Sequence, residues 1–122
     1  MTPQKPELLA AYWTIAGDVY PGAPTEVSPF SLEERAQAAA KAGYTGMGFV
    51  HADLMANKAR MGFAGMQRVF DDNGIKHIEV EFLNDWYLDK SDPRRKASDQ
   101  MRQELVECAA ALKARNYKCC GL

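Results

Sequence analysis

The stretch Ile75 to Leu83, IKHIEVEFL, constrains the fold of this chain more than any other. It alternates strictly: Ile78, Val80 and Phe82 fall on one side of an extended strand, and His77, Glu79 and Glu81 fall on the other. A strand sandwiched between two layers of helices reads as an unbroken apolar run. This strand therefore belongs to a sheet with helices on one face and, on the other, a polar surface that must meet partners, a ligand or water.

The segments around it repeat one pattern. Leu8 to Trp13 (LLAAYW) is a short apolar run between Pro6 and a Gly/Pro-rich loop, which predicts a buried strand. In SPFSLEERAQAAAKAG, Ser31 and Glu34 have the spacing of a capping box. Leu32, Ala36, Ala39 and Ala40 share one helical face, and Gly43 ends the run. Tyr44 to Val50 predicts a second strand, and HADL (residues 51 to 54) predicts a polar loop after it. Phe63, Met66 and Phe70 then mark a helix stopped by Asn73-Gly74. After the third strand, Asp92-Pro93 opens a helix carrying Ala97, Met101, Leu105, Cys108 and Leu112, and Tyr117 onwards begins a fourth strand.

Strand and helix alternating in this way are the mark of α/β folds with a parallel sheet, one βα unit recurring every 30 to 40 residues or so. A small doubly wound sheet and the first half of an eight-stranded barrel both fit that order. The polar face of the third strand favours the barrel, whose interior near the C-terminal rim accepts such groups. A whole barrel takes about 250 residues, and the 122 present correspond to about three and a half units.

Composition excludes several functions. Fifteen Lys and Arg stand against sixteen Asp and Glu, interspersed, so the chain has no electrostatic footprint for nucleic acid or for an anionic membrane. No apolar stretch is long enough to span a bilayer and no secretory leader is evident, which predicts a cytoplasmic protein. The cysteines, Cys108, Cys119 and Cys120, lack zinc-site spacing and read as reduced thiols. Met61, Met66 and Met101 read as core filler. Gly46 and Gly48 do not read as a phosphate loop, because no helix start is expected near them.

Taken together, Trp13-Thr14 with Ala16-Gly17-Asp18, SPFSLEERAQAAAKAGYTGMGFVHADL, FDDNGIKHIEVEFLNDW and the ALKAR stretch resemble successive blocks of the sugar phosphate isomerase/epimerase family. These are the xylose-isomerase-like barrels grouped with the family-2 apurinic endonucleases. The resemblance runs from about Leu8 onward. It implies that residues 1–122 are a single partial domain, the N-terminal half of a TIM-type (βα)8 barrel. The barrel would act on a sugar or polyol by metal-assisted proton transfer through an enediolate, with Mn²⁺, Mg²⁺ or Zn²⁺ as the ion. The metal ligands of the family lie on later strands, so none is assigned here, and the chain is expected to be partial.

Reactive groups of βα barrels sit just past the C-terminal ends of strands. His51 and Glu81 are the residues suited to proton transfer, and the resemblance leaves them supporting roles: hydrogen bonds to sugar hydroxyls, or support of metal-bound groups. Trp13, Asp53, Glu79 and Trp86 are the expected substrate contacts, although Asp53 also suits a helix cap and the tryptophans suit packing. Two other readings stand beside this one. One is a non-catalytic half-barrel that associates with itself or with a separate C-terminal half. The other is a lesion-processing endonuclease, which the presence of only two histidines and a net charge of −1, with no basic excess for phosphates, disfavour.

Overall fold

The computed structural model describes residues 2–121. It holds four parallel strands in sequential order, β1 (Leu9–Ala10), β2 (Gly46–Phe49), β3 (His77–Leu83) and β4 (Asn116–Cys119), with each strand paired to the next. The helices are α1 (Tyr12–Ile15), α2 (Leu32–Lys41), α3 (His51–Asp72) and α4 (Pro93–Ala111).

Register decides which face each residue takes. Met47 pairs with Ile78 and Phe49 with Val80, and all four join one core with Leu32, Ala36 and Ala39 of α2, Leu54, Met66 and Phe70 of α3, and Leu105 and Cys108 of α4. The three long helices therefore cover a single face of the sheet. A doubly wound sheet, with helices on both faces, is not what forms. The opposite face carries Gly46 and Gly48 of β2 beside His77, Glu79 and Glu81 of β3, as the alternation of IKHIEVEFL requires.

Local chemistry accounts for most element ends. Ser31 and Glu34 close a reciprocal capping box at the start of α2. Asp92 caps α4 by accepting from the Arg94 N–H, and Pro93 occupies the first turn, where its missing donor is harmless. Asn73 ends α3, with Gly74 in the left-handed region at φ 65°.

Four expectations are corrected. The first strand stops at Ala10, because Tyr12 to Trp13 and on to Ile15 turn into a short helix that buries Tyr12. HADL is not a loop but the first turn of α3, which starts directly after β2 and is broken at Gly62, whose φ of 67° with ψ of 171° is open to glycine at little cost. Ala97 is exposed, and the buried face of α4 takes Ser98 instead, its hydroxyl bonded to the Asn84 carbonyl at 2.6 Å. In β3 the alternation fails at the end. The pairing steps three residues on β3, from Val80 to Leu83, against two on β4, so Leu83 enters the core and Phe82 leaves it.

A buried ion pair ties the helices to the loop before them. Asp53 in the first turn of α3 accepts from Arg35 Nη2 of α2 at 2.9 Å, from Asn57 Nδ2 at 3.1 Å and from the Ser28 N–H at 3.2 Å. Both charged residues are almost wholly buried, at 3% and 1% exposure. The guanidinium also lies over the rings of Tyr12 and Phe49, 5.8 and 5.9 Å from their centroids. Burial, with the Asp53 charge second, holds the Tyr12 phenol well above its ordinary pKa. Removing one member leaves an uncompensated buried charge, so Asp53→Ala is expected to cost about 3–5 kcal/mol. The joint replacement Arg35→Met with Asp53→Leu should cost clearly less than either single change in urea denaturation.

Candidate functional site

Two strand ends and one loop build the site. β2 ends at Phe49, Val50 follows, and His51 opens α3; one strand over, Glu81 and Phe82 stand near the end of β3. His51, Glu81 and Phe82 line one cavity of about 310 Å³, together with Glu26 and Gly22 from the loop that precedes α2 and Asn84 beyond β3. The site is thus assembled where β2 and β3 hand over to the segments that follow them.

Glu81 reaches this position because Gly48 has no side chain. A Cβ on Gly48 would lie 1.9 Å from Glu81 Oε1 and 2.9 Å from its Cδ, so the carboxylate occupies the space that any other residue on β2 would fill. There Oε1 accepts from the Tyr12 N–H at 3.0 Å. That amide is the first of α1, one of the donors that a helix N-terminus leaves without an internal partner. Glu81 is 4% exposed, and the charge-assisted bond offsets part of the cost of its burial. Oε2 has no hydrogen-bond partner among the described residues.

His51 is held in a similar way. Its Nε2 lies 2.5 Å from Oε2 of Glu104 on α4, and this bond keeps the Glu104 carboxyl below its ordinary range. Nδ1 has no partner among the described residues. Each of the two groups therefore has one polar atom anchored by the protein and one left over.

The other expected contacts lie elsewhere. Asp53 is turned into the protein, its oxygens taken by Arg35, Asn57 and Ser28, so it neither caps an irregular segment nor reaches the cavity. Glu79, on the same face of β3 as Glu81, accepts from Asn116 and pairs with Lys118 Nζ at 3.0 Å, both on β4, and it lines a separate hollow. Trp13 packs edge-on against Tyr12. Trp86 is exposed, its indole N–H bonded to the Cys120 carbonyl at 3.0 Å and its ring edge-on to Tyr87. Neither tryptophan lines the cavity. Gly46 and Gly48 do precede a helix closely, yet they cradle no anion: the space beside Gly46 is taken by Leu9 and His77 and that beside Gly48 by Glu81.

Glu104 and Glu26 escaped the sequence reading, and neither left a signal there. Glu104 lies in a charged helix whose pattern gives no reason to single it out, and Glu26 lies in an irregular loop. Another hollow, of about 340 Å³ near the start of α2, is lined by Arg35 and Arg60; Arg35 pairs with Asp53 through Nη2 while its Nη1 has no partner among the described residues, and Arg60 pairs with Glu33. Among the described residues no three His, Cys, Asp or Glu side chains converge as a metal-holding group. Burial pushes the Cys108 thiol up to about 11, which suits an inert core residue rather than a nucleophile or ligand. None of the described helices is long and apolar enough to cross a membrane.

Comparison with known proteins adds no identity: no family model matches the chain, and no curated protein matches it in sequence.

The fit between Gly48 and Glu81 is directly testable. Gly48→Ala should lower stability by about 1–3 kcal/mol, the usual cost of overpacking a filled site. In the double variant with Glu81→Ala that loss should be smaller than the sum of the two single losses, when each is measured by thermal or urea unfolding.

Proposed function

We propose that this chain is the N-terminal half of a xylose-isomerase-like (βα)8 barrel and that its cavity between the ends of β2 and β3 binds the hydroxyl-rich part of a sugar or polyol. The observation that carries this reading is that His51 and Glu81, from different strand ends, line one cavity on a sheet covered by helices on one side only. The sequential parallel strand order supports the barrel, which four further βα units would close.

Isomerisation or epimerisation of such a substrate removes a proton from the carbon beside a carbonyl and returns it elsewhere, through an enediolate. Glu81 Oε2 and His51 Nδ1 serve as hydrogen-bond partners of the substrate hydroxyls and as proton carriers at those oxygens. The divalent metal expected from the resemblance would take its ligands from strands other than these four.

The charge of the lining narrows the substrate. Glu26 and Glu81 line the cavity, Glu104 stands behind His51, and no lysine or arginine lines it. Such a surface repels phosphate and accepts the donors of neutral hydroxyls. The half facing this cavity is therefore the unphosphorylated end of the substrate. The same lack of basic groups disfavours a nucleic-acid substrate.

A second reading rests on a different observation. β1 and β4 are edge strands of the sheet, each with one side unpaired among the described residues, and such edges invite pairing with a second copy or with a separate C-terminal half. Sedimentation of the chain separates this reading from the first.

Titrating the ¹⁵N-labelled chain with a hexitol or an unphosphorylated ketohexose, and in parallel with the phosphate ester of the ketohexose, tests the leading reading. Amides of Val50, His51, Glu81 and Phe82 should shift with the neutral ligand, and His51→Asn or Glu81→Gln should weaken binding about tenfold, the worth of one such hydrogen bond. Shifts confined to other parts of the chain, or preference for the phosphate ester, would contradict it.

A further inference from the structure

His51 has two ring nitrogens, and the protein treats them differently. Nε2 faces the Glu104 carboxylate, an acceptor with no proton of its own when ionised, so Nε2 carries the hydrogen of that bond. Nδ1 is left without a protein partner among the described residues, on a ring that lines the cavity. Which nitrogen of a neutral imidazole is protonated is set by the bond the other one makes.

We infer that Glu104 is a positioning residue for His51, fixing the Nε2–H tautomer so that Nδ1 presents its lone pair to a ligand hydroxyl in the cavity. The inference rests on the proposed polyol site for its ligand, but not for the state of the ring. Nδ1 accepts the hydroxyl hydrogen bond. If the proton crosses, the ligand is left as an alkoxide and the ring as an imidazolium held between that oxygen and the Glu104 carboxylate.

The surroundings explain why a carboxylate is needed. His51 is the first residue of α3, and the N-terminal end of a helix disfavours a cation. Glu104 supplies the compensating negative charge. It comes from α4, across the interface with α3, where Lys58 of α3 is bonded to Glu107 at 2.9 Å and attracts Glu104 electrostatically without a direct bond to it. On the cavity side the charged groups are Glu26 and Glu81, both acidic, and Glu81 is tied through Oε1 to Tyr12. The lone pair on Nδ1 and Oε2 of Glu81 are thus two unclaimed acceptors offered to one ligand, beside Oε2 of Glu26 on the same lining.

The test reads the ring itself. The chain has two histidines, and His77, bonded to Glu7 at 2.8 Å outside the cavity, is the internal control. Two-bond ¹H–¹⁵N correlation spectra of the full chain without ligand, above the pH at which the ring holds a second proton, should show His51 as the Nε2–H tautomer. His77→Gln assigns the signals. Glu104→Gln, whose amide oxygen can still accept, should keep that tautomer. Glu104→Ala should let the two tautomers average and speed exchange of the Nε2 proton at least about tenfold, as expected for loss of one charge-assisted hydrogen bond. His77 should stay unchanged throughout.

An Nδ1–H tautomer in the wild-type chain would overturn the inference, and so would an unchanged His51 in Glu104→Ala. The wild-type spectrum decides even if the alanine variant fails to fold. Because no ligand is present, a failed polyol titration leaves this result standing, and the two readings fall separately.

Discussion

The carboxylate of Glu81, seated where Gly48 lacks a side chain and bonded to the Tyr12 amide, is the contact on which the rest of the arrangement depends. It joins the first three strands in one step: the acid is on β3, the gap is on β2, and the donor follows β1. A larger residue at position 48 would push the carboxylate away from that amide. With the amide satisfied, the chain leaves the sheet after Ala10 and turns into α1, which sends the Tyr12 ring beneath the Arg35 guanidinium. Arg35 is in turn bonded to Asp53 in the first turn of α3. A polar contact on one face of the sheet is thus linked through Tyr12 to the ion pair that orients two helices on the other.

The same linkage divides the polar residues into two sets. Arg35, Asp53 and Asn57 bond to one another, with Nη1 of Arg35 left as a buried donor without a partner among the described residues. Glu79 is satisfied within the sheet by Asn116 and Lys118. His51 and Glu81 are only half satisfied, each with one atom still unclaimed, and both border the same cavity. Polar groups left incomplete in a folded chain are where binding is expected, since a ligand can finish what the protein leaves open.

Much of the fold is legible in the residues because local rules act alone there. The capping box of Ser31 and Glu34, the Asp92-Pro93 start, the Asn73-Gly74 stop and the alternation from His77 to Glu81 each need only near neighbours. Failures occur where a distant residue decides. The first strand ends early because an acid 69 positions away takes the Tyr12 amide. HADL is helical because Asp53, which resembles a loop residue, finds its partner on α2. The alternation breaks after Glu81 because β4 pairs across a bulge. At the candidate site, the position of His51 and Glu81 beside strand ends is legible in the sequence, whereas the approach of Glu104 to the ring is not, since only the packing of α4 beside α3 brings it there.

Amide hydrogen exchange at Tyr12 tests the central contact most directly. As the first amide of a short helix it has no backbone acceptor of its own, and its one hydrogen bond is to Glu81, so the part of its protection lost with that carboxylate reads the contact. Protection within about an order of magnitude of the β2 amides, lost in Glu81→Ala, is the result this account requires. Free exchange at Tyr12 in the intact chain, while β2 and β3 stay protected, would contradict it.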